Sequence, residues 1–198
     1  MLMKALTTCL SQCDNVLLLP LDPSTTDQEL LEQDAGVSVP NFDVVLADFG
    51  ESMIYGPKDS GYTTRNRGTE FIKSPEMLTV ANASSKERST YDRRKKVGAN
   101  KASDVWAVGC LIYELLTGEF LFYDDDWIRF FIRVTSDNSM EDMLPPERLA
   151  PLRAVKGGEH LVEFFYSVFI RDPRRRPSLQ VVAKRWATVT CTKKYRNK

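Results

Sequence analysis

Residues 102–117, drawn as a helix, carry apolar side chains on nearly every face. A helix with one apolar stripe lies on a protein surface, whereas a helix that is apolar all round is buried. Gly118 follows directly and provides the conformational freedom at which helices commonly end. The pattern therefore predicts a buried helix over residues 102–117.

Three more helices are predicted downstream, over residues 126–134, 159–170 and 178–187. Asp126 and Ser178 stand at the starts of two of them, and both residue types cap helix N-termini well. Upstream, short runs rich in β-forming residues predict two strands, at 17–19 and 44–47. The sequence therefore predicts a mainly helical fold with a small β-hairpin.

Two polar stretches interrupt this pattern. Residues 20–41 are acidic and contain several prolines. They are expected to form an enlarged loop, which folding tolerates because the cost of loop closure rises slowly with length. Residues 79–100 carry six Lys or Arg side chains. They are expected to form a solvated insertion, and a docking site or localisation signal is the alternative.

Composition narrows the classes of function. The chain has 198 residues, enough for one domain with its own core, and its 27 Lys and Arg balance 27 Asp and Glu. Such a neutral chain lacks the basic footprint of nucleic-acid binding, so no nucleic-acid partner is expected. The sequence contains no apolar run long enough to span a membrane and no convincing secretory signal.

The cysteines and the single histidine limit the chemistry further. With no C-x-x-C pair, free thiols in a reducing compartment are favoured over a disulfide framework. The cytoplasm is then the expected location, and the nucleus stays open. A zinc site would need more ligands at closer spacing. A Ser-His-Asp site would have to use His160, which is expected to be solvated near a helix start. The cysteines are Cys9, Cys13, Cys110 and Cys191.

Four motifs follow one another along the chain. The first is Asp48-Phe49-Gly50, at the end of a predicted strand. The other three are Gly68-Thr69-Glu70-Phe71-Ile72-Lys73-Ser74-Pro75-Glu76, Asp104-Val105-Trp106-Ala107-Val108-Gly109 and Arg171-Asp172-Pro173-Arg174-Arg175-Arg176-Pro177-Ser178. In this order they resemble the C-terminal lobe of a eukaryotic protein kinase of the Ser/Thr type. The resemblance implies a helical C-lobe built around the buried helix at 102–117.

The resemblance extends upstream to Cys13-Asp14-Asn15-Val16-Leu17-Leu18, which is similar to the end of the kinase catalytic loop. Counting back from Asn15 puts the catalytic Asp at position 10, where this chain has Leu10. The Gly-rich loop, the phosphate-binding Lys and its Glu partner have no counterpart in residues 1–12. We therefore expect a non-matching segment (1–12), a kinase-like C-lobe without an N-lobe (13–187) and a basic tail (188–198).

The resemblance also implies site residues. Phosphoryl transfer needs metal ions held by hard oxygen ligands. Asp48 would be the main Mg²⁺ ligand and Asn15 the second, and Gly50 would permit the backbone turn that aims Asp48 toward ATP. Binding of ATP and Mg²⁺ by this chain alone is not expected, because most of the nucleotide surface is missing.

Further residues match the family's substrate-side and structural positions. Thr69 corresponds to the residue that contacts the catalytic Asp in Ser/Thr kinases. Glu76 and Arg176 would form a buried ion pair that ties the activation segment to the last helices. Asp104 would accept hydrogen bonds from the catalytic-loop backbone, and a helix N-cap is a compatible alternative. The segment that contains Tyr62, Thr63 and Thr64 stands where kinases carry regulatory phosphorylation sites. These three residues are possible phosphorylation sites, and an ordinary polar loop is the alternative.

Residues 1–12 stand where a kinase has a long helix packed on the central one. Their apolar residues could form a short helical stripe of about three turns. Such a stripe would leave an apolar patch exposed, of the kind that marks a partner site or an aggregation liability.

Two functions stay open. The family transfers the γ-phosphoryl group of ATP to a protein Ser or Thr, and this chain would be a truncated piece of such an enzyme without catalysis. The alternative is a pseudokinase-like module that binds protein partners.

Overall fold

The computed structural model describes residues 5–7, 13–22, 42–55, 68–81 and 98–191, and the structural statements below concern these ranges. The predicted phosphorylation sites Tyr62, Thr63 and Thr64 lie outside the described residues. So do Leu10 and most of the two polar stretches.

Seven α-helices within the described ranges carry most of the fold. They are α1 (Pro75–Ala81), α2 (Lys101–Thr117), α3 (Trp127–Thr135), α4 (Met140–Met143), α5 (Pro146–Arg153), α6 (Gly158–Val168) and α7 (Leu179–Cys191). Three single-turn 3₁₀ helices lie at Cys13–Asn15, Phe49–Glu51 and Glu70–Ile72. In the part of the chain that the structure describes, no helix is long and apolar enough to cross a membrane.

In the ranges that the structure describes, four short strands form two separate antiparallel pairs. Strands β2 (Val16–Pro20) and β3 (Phe42–Leu46) pair with Val16 opposite Leu46, which confirms the small two-stranded sheet. Strand β1 (Ala5–Thr7) pairs with β4 (Met53–Tyr55). The predicted helical stripe is therefore wrong for Ala5–Thr7. A helix of so few turns is marginal by itself, whereas β4 offers these residues backbone hydrogen-bond partners.

Helix α2 lies at the centre of the core. Trp106 and Tyr113 are completely buried, as the all-round apolar pattern predicts. The last turn departs from the prediction, since 62% of Leu115 and 46% of Leu116 are exposed. The helix therefore carries more apolar surface than the other described residues cover.

Local hydrogen bonds set both ends of α2. At its start, the Asn100 side chain accepts the Ala102 N–H (2.7 Å) and Ser103 Oγ accepts the Asn100 N–H (3.0 Å), which makes a capping box. At its end, Gly118 adopts a left-handed backbone (φ 74°), as its position predicted.

Aromatic rings fill the space between α2 and the helices around it. Trp106 stacks on Phe122 with ring centroids 5.1 Å apart, and Phe169 meets both rings edge-on at 4.9 and 5.1 Å. Gly109 lets α6 approach α2 at this point. A Cβ atom at Gly109 would lie 2.8 Å from Val168 Cγ1 and 2.9 Å from Phe169 Cζ, closer than carbon atoms pack.

A buried ion pair ties α1 to the chain just before α7. Arg176 Nη1 lies 2.8 Å from Glu76 Oε1, with the two side chains 0% and 4% exposed. Arg176 also donates to three backbone carbonyls, those of Ala102, Ile170 and Arg171. Together with the second contact to Glu76 Oε2 (3.0 Å), these bonds engage all five N–H donors of the guanidinium. Ser103 Oγ donates to Glu76 as well (2.8 Å), so the network reaches the start of α2.

We expect Glu76→Ala and Arg176→Ala each to lower the free energy of unfolding by about 3–5 kcal/mol, because the remaining charge is left buried without its partner. The double variant should cost much less than the sum of the two. Urea denaturation of the four proteins measures this coupling. The exposed pair Arg153–Glu159 is the matched control, for which truncation should cost at most about 1 kcal/mol. Additive losses at Glu76 and Arg176 would contradict the expectation.

Gly109→Ala should lower the free energy of unfolding by about 1–2 kcal/mol, because overpacking outweighs the gain in helix propensity. Adding Val168→Ala removes one of the clashing atoms and should restore part of the loss relative to Val168→Ala alone. Thermal denaturation of the single and double variants tests this, and a more stable Gly109→Ala protein would show that the close approach is absent.

Candidate functional site

The β2–β3 pair brings the two predicted metal ligands to one end of the sheet. Its register places Val16 opposite Leu46, and the Ala47 N–H donates to the Asn15 carbonyl at 2.8 Å. Asn15 therefore lies opposite Ala47, the residue directly before Asp48. The backbone alone thus juxtaposes an amide side chain and a carboxylate at the point where the strands end.

Asp48 adopts a left-handed backbone, with φ 57° and ψ 64°. Within the described ranges, no other non-glycine residue has a positive φ. This conformation is uncommon for residues with a Cβ and tends to persist where function demands it. It turns the chain sharply from β3 into the 3₁₀ turn Phe49–Glu51, with Asp48 exposed.

The role predicted for Gly50 needs correction on this point. Gly50 was expected to permit the backbone turn, but the left-handed residue is Asp48 itself, and Gly50 has no positive φ. A Cβ atom at Gly50 would lie 3.4 Å from Asp48 Oδ1, an ordinary contact distance. Gly50 therefore borders the Asp48 carboxylate without supplying the turn.

Asn15 and Asp48 fit a magnesium ion as part of its ligand set. Both present hard oxygen donors, and Mg²⁺ is commonly held by one or two protein oxygens completed by waters and phosphate oxygens. The described residues contain no cluster of three His, Cys, Asp or Glu able to hold a metal by themselves. A cation at Asp48 would accordingly depend on ligands from a bound nucleotide.

The surface around this site is apolar. Leu17, Leu18 and Leu19 on β2 are each more than 40% exposed, and 45% of Phe49 is exposed. Three neighbours on β3 are exposed as well, namely Val44, Val45 and Leu46. A two-stranded sheet with apolar side chains on both faces has little stability of its own in water. The hairpin therefore presents a surface suited to being covered.

Residues 68–74, called here the acceptor segment, lead from the predicted substrate position to α1. Phe71 anchors this segment in an aromatic cluster, with its ring centroid 5.2 Å from that of Phe130 and 4.9 Å from that of Tyr123. Glu76, two residues after the segment, is fixed by the ion pair to Arg176. Thr69, two residues before Phe71, is half-buried.

Sequence reasoning missed a polar contact between the acceptor segment and α3. Glu70 Oε2 pairs with Lys73 Nζ at 2.6 Å, and Glu70 Oε1 accepts a hydrogen bond from the Trp127 indole N–H at 3.3 Å. Lys73 is 5% exposed, so Glu70 balances a buried charge. The opposite charges of Glu70 and Lys73, three residues apart in the second motif, could have indicated that these two pair, whereas nothing in the sequence indicated Trp127 as a partner.

Asp104 is buried in the first turn of α2. The residue that caps this helix is Asn100, so the N-cap alternative for Asp104 is wrong. The sequence suggested it because Asp is a good cap, but Asn100 is also a good cap and stands four residues earlier.

Two other titratable groups lie outside the site. Cys110 is buried in the core. Burial raises the pKa of its thiol, which makes the thiol a poor nucleophile. His160 is exposed in α6, 3.5 Å from Glu163, which confirms the expectation of a solvated histidine.

Comparisons with known proteins bear on the family to which the chain belongs. The family model for the protein kinase domain matches residues 30–187, a range that includes Asp48, Thr69, Glu76 and Arg176 and starts after Asn15. A probable serine/threonine-protein kinase of Dictyostelium discoideum is 50% identical over 181 residues, which cover 91% of this chain and 7% of the relative.

More distant relatives are also protein kinases. A mitogen-activated protein kinase of Aspergillus oryzae is 26% identical over 155 residues, covering 69% of this chain and 40% of the relative. A MAP3K epsilon protein kinase of Brassica napus is 27% identical over 141 residues, covering 70% of this chain and 8% of the relative. The chain thus spans less than half the length of these relatives. Since the family match covers more than half of the chain, the chain belongs to the protein kinase domain family.

Proposed function

We propose that this chain supplies the protein-substrate side of a Ser/Thr kinase site, within a C-lobe at residues 13–187, and that by itself it transfers no phosphoryl group. The acceptor segment carries this proposal. It is fixed at Phe71 by aromatic contacts and beyond its end at Glu76 by a buried ion pair, so its backbone is held in place without any ligand.

The lack of catalysis follows from the residue that stands at the position of the catalytic Asp. The Asp of the kinase catalytic loop accepts the proton of the substrate hydroxyl. Leu10, which stands at that position when the motif is counted back from Asn15, has no group that could accept the proton. Asp48 and Asn15 could hold Mg²⁺ when a nucleotide supplies the remaining ligands, and the bound metal would then neutralise phosphate charge. Both residues would orient the metal from the edge of the hairpin.

A second function is supported by the exposed apolar residues. Leu115 and Leu116 end the central helix in solvent, and the hairpin exposes Leu17, Leu18 and Val44. Apolar surface of this kind favours a module that binds a protein partner. For both functions we propose protein partners and no involvement of nucleic acid or a membrane. The cytoplasm is the proposed location, with the nucleus as the alternative.

The activity proposal is tested with the purified chain, radiolabelled ATP and Mg²⁺. We expect no transfer of labelled phosphate to a mixture of generic Ser/Thr substrates, and no binding of Mg-ATP at millimolar nucleotide. The matched control is Asp48→Ala, which should give the same background. Incorporation in the unchanged chain that Asp48→Ala abolishes would contradict the proposal.

The exposed apolar residues predict self-association. We expect the chain to sediment as oligomers or aggregates at micromolar concentration, and Leu115→Gln with Leu116→Gln to raise the monomer fraction. Val155→Gln is the matched control, because Val155 is as exposed as Leu116, at 46%, but lies in a different part of the fold. A monodisperse monomer with a cooperative transition above about 55 °C, inside the ordinary mesophile range, would refute this expectation.

A further inference from the structure

Trp127 is an exposed aromatic side chain that is held in one orientation. One ring face stacks on Phe131, with centroids 5.1 Å apart and planes 18° apart, and the indole N–H donates to Glu70. Even so, 41% of Trp127 is exposed. A surface aromatic that is already ordered loses little conformational entropy when something binds to it.

Glu70 places a carboxylate against this ring. Its side chain is 36% exposed. Lys73 and Trp127 each donate one hydrogen bond to it, whereas a carboxylate offers about four lone-pair positions. Glu70 can therefore accept further N–H donors that arrive from the solvent side of Trp127.

The surroundings favour a positive ligand. Residues 118–128 contain four carboxylates and neither Lys nor Arg. Among them Asp125 is exposed and accepts a hydrogen bond from Tyr123, whose ring contacts Phe71 of the acceptor segment. Arg129 of α3 pairs with Asp124 and Asp126, Arg133 pairs with Asp124, and Arg148 pairs with Glu119. Among the described residues, Asp125 is then the carboxylate of this stretch that no Lys or Arg neutralises.

We propose that Trp127 and Glu70 form a subsite for an arginine side chain of the protein substrate. A guanidinium can stack on the indole as a cation–π pair while it donates to the carboxylate. The occupant is identified by continuity: Glu70 belongs to the acceptor segment and directly follows Thr69. A substrate that crosses Thr69 brings its neighbouring residues to Glu70. The proposal rests on the proposed substrate-side function.

The test uses the full chain labelled with 5-fluorotryptophan, in which Trp106, Trp127 and Trp186 give separate fluorine resonances. Trp127→Phe assigns the Trp127 signal. The probes are four Ser-containing peptides with a single arginine one to four residues after the serine, and the same peptides with citrulline, which is neutral but nearly isosteric.

We expect at least one arginine peptide to shift the Trp127 resonance saturably and its citrulline counterpart to bind about tenfold more weakly, because the charge contributes to both contacts. Glu70→Gln should weaken the arginine peptide by a similar factor, with the Trp106 and Trp186 signals unchanged as evidence of folding. Glu70→Gln with Lys73→Met repeats the measurement without an unpaired buried lysine.

The proposal is overturned if no arginine peptide shifts Trp127, if citrulline binds equally well, or if both Glu70 variants keep full affinity. If the contact between Glu70 and Trp127 only held α3 to the acceptor segment, both Glu70 variants would keep full affinity. Since no phosphate transfer is measured, the outcome is independent of the labelled-ATP assay, and the two proposals can fail separately.

Discussion

The buried pair of Glu76 and Arg176 is the constraint on which the rest of the structure depends. Three parts of the chain that are distant in sequence converge on it: α1, the start of α2 through Ser103, and the loop before α7. A buried guanidinium is tolerated only when its donors are satisfied, and here all five are. That requirement fixes the position of α1, and with it the end of the acceptor segment.

Much of this arrangement could be predicted from sequence, for identifiable reasons. The buried helix and its end at Gly118 followed from local patterning, because an all-round apolar stretch has few other places to go. The pairing of Glu76 with Arg176 followed only from the resemblance, since no local pattern connects residues so far apart.

Other features depended on tertiary geometry that no pattern encodes. The resemblance predicts that Gly50 permits the turn, yet the positive φ, and with it the backbone strain, lies at Asp48. Asn100 and Asp104 are both suitable caps, and only the spacing to Ser103 decides between them. The Glu70–Trp127 contact joins two segments through side chains that have common solvent-exposed roles elsewhere, so their sequence context carried no signal.

The bond between Ser103 and Glu76 affects how the fold tolerates changes in residues 82–97. It joins the first turn of α1 and the start of α2 on a single buried carboxylate, and residues 82–97 lie between the two helices in the sequence. The bond therefore offsets the entropy lost when that stretch is closed into a loop. This entropy loss rises only slowly as residues are added. Changes in the length or composition of this stretch are therefore expected to leave the start of α1 and the acceptor segment in position.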